Sequence, residues 1–370
     1  MRVLVCTVVH NPADARILHR QIRALLDAGH DVTYIAPFRQ CRVTPWPELT
    51  VGDVPRATGR TRLRALRAAR RELALHTAGA HLLIVHDPEL LLVLPWLRHR
   101  PPTVWDVHED TAAAIGMKGW VPRPLRPVLA AAVRAAERLA ERRIHLILAE
   151  RDYQARFRRT HPVVPNTTYV PLRPPEPPGE DRVVYLGHLS TARGTGDMIE
   201  VARLLQPHGI AVELIGDADT QVRGQLGKAQ AAGLVRWYGF VPNAEALKMV
   251  DGALAGLSLL HDEPNYRHSL PTKVVEYMAH GVPVITSPTG PATDLVERHG
   301  CGFVVPFGDH AAAADAVLKL RGDPKLRSEM SQRGHRAALE TLDWPVFAKA
   351  FIAQLEEWAD QRAARPAPIP

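Results

Sequence analysis

Four polar side chains in the stretch SLPTKVVEYMAHGVPVIT, residues 269–286, stand at spacings that could do chemistry. Thr272, Lys273, Glu276 and His280 fall at i, i+1, i+4 and i+8, so on a helix three of them share a stripe with Lys273 close beside it. Val274, Val275, Met278 and Ala279 cover the other side. Pro271 suits a first helical position, Gly281 suits the residue just past the end, and VPVIT then reads as a buried strand. The approach through His268, Ser269, Leu270, Pro271 and Thr272 leads into first-turn amides, which with the positive end of the helix dipole can hold a phosphate. Glu276, one turn further in, can accept from both hydroxyls of a ribose; the plainer reading is a buried pair with Lys273.

A second phosphate-ready helix start lies in VVYLGHLSTARGTGDMIE. A strand finishes at Gly187, a loop containing His188 follows, and a helix begins near Gly196, with Arg193 available as a bidentate partner for a phosphate. The GTG here is not the dinucleotide fingerprint, because the strand ends seven residues too early; a structural turn is the bland alternative. Two anion-ready helix starts with a carboxylate at ribose distance suggest a sugar nucleotide diphosphate, which the polar stripe would face.

The elements that must position these residues alternate along the whole chain. RVLVCTVV, DVTYIAP, HLLIVHD, TVWDVHE and LILAE read as strands with helices between, starting with one amphipathic helix over DARILHRQIRALLDAG. PNTTYVPLRPPEPPGED holds six prolines and reads as a stiff linker over 166–180. A second alternating series follows, and the last helix begins next to Trp344. The expectation is therefore an α/β chain of two doubly wound Rossmann-like domains, 1–165 and 181–343, facing a cleft, with 344–370 as a closing helix and tail.

The 370 residues with 46% apolar content suffice for two such cores. Three scattered cysteines argue for a reducing compartment and against a disulfide framework or zinc site. MRVLVCTVVH lacks the features of a signal peptide, and the apolar run at HLLIVHDPELLLVLPWL is broken by His86, Asp87, Pro88 and Glu89, so a cytoplasmic protein is expected. The net charge of +7 is divided unevenly, +11 over 1–165 and −4 over 166–370. Arginine-rich segments at 56–73 and 123–143 cause most of it; they are either solvated helix faces or a basic surface for an anionic acceptor or the inner membrane face. Nucleic-acid binding is not expected, because no aromatic interleaving or reading motif accompanies the charge.

The chain resembles a retaining glycosyltransferase of the GT-B fold, specifically glycosyltransferase family 4. HNPADARILHRQIRALLDAGHDVTYIAP, VVPNTTYVP, YLGHLSTARG and LPTKVVEYMAHGVPVITS carry the resemblance, while HDPELLLVLP and VWDVHED resemble a branch that often builds surface polysaccharides. The resemblance implies transfer of a sugar from a nucleotide diphosphate, a UDP-sugar or alternatively a GDP-sugar, to an acceptor with retention at the anomeric carbon. It implies Glu276 as the acid that binds the donor ribose, with His268 standing where the family has its first acid. Gly187, His188 and Arg193 match the donor-phosphate loop, His188 and Arg193 replacing an Arg and a Lys. His108 matches a histidine lining the reaction centre, although a satisfied strand-end histidine is the bland reading. Asp14, Arg16 and Glu109 are expected on the acceptor side with His108. Cations take the place of a metal, and no cofactor beyond the nucleotide-sugar co-substrate is implied. Two other readings keep the donor site: a nucleotide-sugar 2-epimerase, and a non-catalytic sugar-nucleotide-binding partner suggested by His268.

Overall fold

The computed structural model describes residues 1–113, 122–172 and 177–363. They divide into two compact units, Met1–Pro165 joined by the chain from Pro345 onward, and Asn166–Trp344. In the first unit six parallel strands run in the order β3-β2-β1-β4-β5-β6. They are β1 (Arg2–Cys6), β2 (Asp31–Ala36), β3 (Thr50–Asp53), β4 (Leu82–Val85), β5 (Thr103–Val107) and β6 (His145–Leu148). Strands β4 and β5 are buried along their whole length, as central parallel strands covered on both faces must be, and this is why they read as nearly continuous apolar runs. The strand order reverses between β1 and β4, and in open sheets of this kind ligands bind beyond the carboxyl ends at that reversal.

The helix expected over DARILHRQIRALLDAG is not regular. It opens as a π-helix, Ile17–Ile22, and becomes α-helical only over Arg23–Asp27. The Gln21 amide bonds the Arg16 carbonyl at 3.0 Å, an i→i+5 closure. That wider turn brings Arg16 and Gln21 onto one face, and both side chains reach Asp106 on β5. A buried carboxylate thus overrides regular helix geometry.

The last helix, Trp344–Ala363, belongs to the first unit from Pro345. Beyond Trp344, residues Phe351, Leu355 and Trp358 are buried along it, Trp358 stacks on His145 at 4.4 Å, and Glu356 pairs with His30 at 3.1 Å. Residues 364–370 of the expected tail lie outside the described residues.

The second unit has the strand order β12-β11-β10-β7-β8-β9, again all parallel. Its strands are β7 (Arg182–Leu186), β8 (Ala211–Ile215), β9 (Val235–Gly239), β10 (Ala255–Ser258), β11 (Val284–Thr286) and β12 (Gly302–Val304). Here the order reverses between β7 and β10. Helix Thr272–Ala279 packs its Tyr277 ring where Gly256 of β10 has no side chain; a Cβ at Gly256 would stand 2.4 Å from that ring. The Tyr277 hydroxyl accepts from the Leu186 amide and donates to the Leu257 carbonyl, so the helix is pinned to β7 and β10 together.

The segment read as a stiff linker is not a free spacer at its described ends. Thr168 bridges to Asp343, the Val170 amide donates to the Asp343 carboxylate, and the Pro171 carbonyl accepts from His335. The Gly179 amide is bonded to Gly252. The second unit therefore begins at Asn166, while 173–176, with two of the six prolines, lie outside the described residues.

Candidate functional site

In the second unit the two stretches singled out from sequence meet at one point. After β7 the chain turns through Gly187 (φ +123°), passes the short helical turn Thr191–Arg193, and enters helix Thr195–Leu205 through Gly194 (φ +75°). No other residue fits at Gly194, where a Cβ would lie 2.0 Å from the Leu259 carbonyl oxygen beyond β10. At Gly187 a Cβ would instead meet the Lys273 Nζ at 3.7 Å and the Arg193 guanidinium at 4.0 Å. Those are ordinary contact distances, so it is the positive φ that favours glycine here, and the turn stands beside two cations brought in from separate helix starts.

Lys273 is 7% exposed, and its ammonium lies 4.7 Å from the centre of the Tyr185 ring. Burial and the neighbouring Arg193 push its pKa down to about 7, against a smaller upward pull from Glu276. Burial disfavours the Arg193 cation, but the neighbouring Tyr185 and Tyr266 side chains favour it and raise its pKa. Glu276 is buried one turn along the same helix as Lys273. The arrangement can receive an anion whose charge the two cations share.

Three expectations are changed by the structure. Pro271 is the cap before helix Thr272–Ala279 rather than its first residue. His280 is the helix cap, its amide bonded to the Glu276 carbonyl at 3.1 Å, and its ring is engaged by Asp251 at 2.6 Å and not by a ligand-facing stripe. His188 is turned outward, its Nε2 at 2.9 Å from Asp219, whereas Lys273 stands at the glycine turn. His268 is exposed in the loop before the helix, followed by the half-buried Ser269, Leu270, Pro271 and Thr272. Tyr185, Tyr266 and the Asp197–His261 pair at 2.7 Å were not singled out from sequence, since nothing in their spacing marks them.

The first unit gathers a second polar cluster at the carboxyl ends of β1, β4 and β5. Asp106 is fully buried and accepts from Arg16 Nε at 2.8 Å and Nη2 at 2.6 Å, from Gln21 at 3.0 Å, and faces His86 Nδ1 at 3.2 Å. Its pKa, which burial alone would raise, is held well below the usual carboxylate range by Arg16. Arg16 also donates to the Val164 carbonyl and is 6% exposed, so it supports the cluster from within instead of lining an acceptor surface. Asp14 likewise faces inward, its carboxylate accepting from the Arg16 and Ile17 amides at the helix start. Glu109 is exposed, and its carbonyl accepts from Arg156.

His108 follows β5. Its Nδ1 lies 3.1 Å from the Asp106 carbonyl, and its Nε2 lies 2.9 Å from the Nε2 of His10. His10 in turn has its Nδ1 at 2.7 Å from Asp87, a fully buried carboxylate that also accepts from Thr7 and from the Val8 and Val9 amides. Sequence reasoning passed over His10 and Asp87, because they stand 77 positions apart. Among the described residues His86, Asp106 and His108 place three potential metal-ligand atoms within 4.8 Å of one another. The Arg16 guanidinium donates to both carboxylate oxygens of Asp106, so an ion there would stand against a buried positive charge.

Comparison with known proteins adds three findings. Residues 173–337 match the model of the family "Glycosyl transferases group 1". The amylovoran biosynthesis glycosyltransferase AmsK of Erwinia amylovora is 28% identical over 144 residues, 38% of this chain and 35% of that protein; the chain thus spans about a third of that relative's length. Among solved structures, a sucrose-phosphate synthase from Thermosynechococcus elongatus superposes with TM-score 0.73 at 18% identity over 98% of this chain and 99% of its own. HepE of Anabaena, solved in complex with UDP-glucose, gives TM-score 0.68 at 15% identity over 96% of this chain and 100% of its own. These structures share the fold of two parallel-sheet units with flanking helices.

Proposed function

We propose that the protein is a glycosyltransferase that moves a sugar from a nucleotide-diphosphate sugar, a UDP-sugar, to an acceptor with retention of anomeric configuration. The observation that carries the reading is the meeting of Lys273 and Arg193 at the side-chain-free turn of Gly187, where the strand order reverses, inside the stretch that matches the family. The UDP-glucose bound by HepE supports the choice of donor.

In this reading the diphosphate lies against the first turns of helices Thr195–Leu205 and Thr272–Ala279. Glu276 takes the ribose hydroxyls. As the bond from the anomeric carbon to the phosphate oxygen breaks, negative charge grows on the diphosphate, and Arg193 and Lys273 stabilise it more strongly than they do the bound substrate. The acceptor hydroxyl attacks from the face that the leaving group departs, which retains configuration, and its proton passes to the departing phosphate oxygen. His108 serves the acceptor side in the first unit. The two cations stand in for a metal, so turnover should survive chelation by EDTA. The exposed arginines of helix Arg62–His76, namely Arg64, Arg67, Arg70 and Arg71, would hold the protein against an anionic membrane carrying the acceptor.

The direct test is product analysis with UDP-sugars, with and without an acceptor extract. Acceptor-dependent UDP release, with the sugar recovered in α linkage from an α donor, is expected. Turnover of donor alone to an epimer, or no turnover with any nucleotide sugar despite binding, would overturn the reading.

A further inference from the structure

The facing nitrogens of His10 and His108 pose a problem of proton count. His10 Nδ1 faces the Asp87 carboxylate and His108 Nδ1 faces the Asp106 carbonyl. Both partners are acceptors, so both Nδ1 atoms must carry hydrogen. Asp87 is itself an anion, since it already accepts from Thr7 and two backbone amides. In two neutral rings each Nε2 would then offer only a lone pair, and the 2.9 Å contact between them would be repulsive. One additional cation must lie between the rings. Among the described residues the potential metal-ligand group around His108 takes in His86 and Asp106 but not His10, whereas a zinc-like ion needs at least three protein ligands. A proton satisfies the contact alone, because 2.9 Å is an ordinary N–H···N distance.

We propose that Asp87, His10 and His108 form one proton-sharing unit, in which His10 is the imidazolium, donates its Nε2–H to His108, and thereby positions His108 and supplies the cationic charge of the first unit's site. The unit takes one residue from the loop beyond each of β1, β4 and β5, so it stands at the strand-order reversal, where a ligand belongs. His10 and His108 keep 19% and 12% of their side-chain surface exposed, so an anionic oxygen of a substrate can reach the pair.

The surrounding charges agree. Burial disfavours the His10 cation, but the hydrogen bond and charge of Asp87, with Asp14 and Glu109 further off, raise its pKa to about 9. Burial would likewise raise Asp87, yet His10 and the Val8 amide bring it to about 2. On the far side His86, facing the same rings, is pushed downward by burial and stays neutral, adding no competing charge. Because the His10 pKa is raised above its ordinary 6.5, the charge is complete below that value and is lost as pH rises through about 9.

The inference rests on the proposed transferase activity only for its kinetic arm. The structural arm is nitrogen-15 NMR of the imidazoles in the full-length protein between pH 6 and 10. Expected is a doubly protonated His10 persisting to about pH 9, as a His10→Gln spectrum would assign, with its Nε2–H shared with His108. Two neutral rings at pH 7.5 would overturn the proposal, and so would a shift of both Nε2 signals on adding stoichiometric Zn²⁺. In the kinetic arm kcat/KM should fall with an alkaline limb near pH 9. His10→Gln, which can still donate to His108 but carries no charge, should lose that limb and keep more activity than His10→Ala. An unchanged limb in His10→Gln would overturn the proposal. Absence of sugar transfer at any pH, with the NMR result intact, would count against the transferase reading alone.

Discussion

Lys273 and Glu276 sit three positions apart on one helix, but their energetic roles differ. Glu276→Ala should weaken binding of UDP ten- to a hundredfold by calorimetry, the usual cost of about 1.5–3 kcal/mol for hydrogen bonds to a charged group. Lys273 has a pKa near 7 because burial and Arg193 disfavour its cation. Between pH 7 and its ordinary 10.5 the unfolded chain therefore binds more protons than the folded one at this residue, and stability from this group rises with pH across that window. Diphosphate binding should restore the charge. At pH 8 calorimetry in buffers of different ionisation enthalpy should show uptake approaching one proton when UDP binds. Lys273→Met should abolish that uptake, weaken UDP binding, and raise the unliganded protein's stability at pH 6 by about 1 kcal/mol or more, since a desolvated cation is costly to keep. Equal proton uptake in the variant would remove Lys273 from the phosphate site.

At the scale of elements, the departure from regularity over Ile17–Ile22 and the charge on Asp106 explain one another. The π-turn makes two side chains five positions apart converge on a buried carboxylate. Arg16→Ala would leave that carboxylate short of its main partner, and breaking a buried pair from one side costs about 3–5 kcal/mol. Urea unfolding of the variant should show a loss of this size. A loss under 1 kcal/mol would mean that Gln21 and His86 suffice to hold Asp106. The glycine turn at Gly194 makes the same point in backbone terms: the helix start can approach β10 only because no Cβ intervenes.

For the whole molecule, charge is the property with the clearest test. Arg64, Arg67, Arg70 and Arg71 are exposed along one helix, and Val128 at 64% and Leu125 at 52% are exposed at the start of the other arginine-rich helix, Arg126–Glu141. Vesicles rich in phosphatidylserine should bind the protein at low salt and release it above about 0.15 M, where the Debye length is about 8 Å. Each basic residue near an acidic surface contributes roughly 1 kcal/mol, so replacing the four arginines with Gln should abolish binding while leaving UDP affinity intact. Sedimentation with vesicles decides it; a protein that stays in the supernatant at low salt has arginines that merely solvate a helix, and its acceptor is then sought among soluble molecules.

Much of this was legible in the sequence, for a physical reason. Apolar periodicity and glycine punctuation are local signals, so the alternation of strands and helices, a helix between Pro271 and Gly281, and a loop from Gly187 into a helix near Gly196 could be read from the sequence, with ends that the structure moves by a residue. The order of the strands, the inward turn of Arg16 and the pairing of His10 with Asp87 and His108 could not. They depend on which side chains meet across the fold, and a buried charge takes whatever partner the packing supplies. His280 shows the limit most clearly: its spacing placed it with Glu276, but the helix ends at Ala279 and Asp251 claims its ring. Spacing along the chain determined which residues could share a face; only the packing of distant strands decided which of them did.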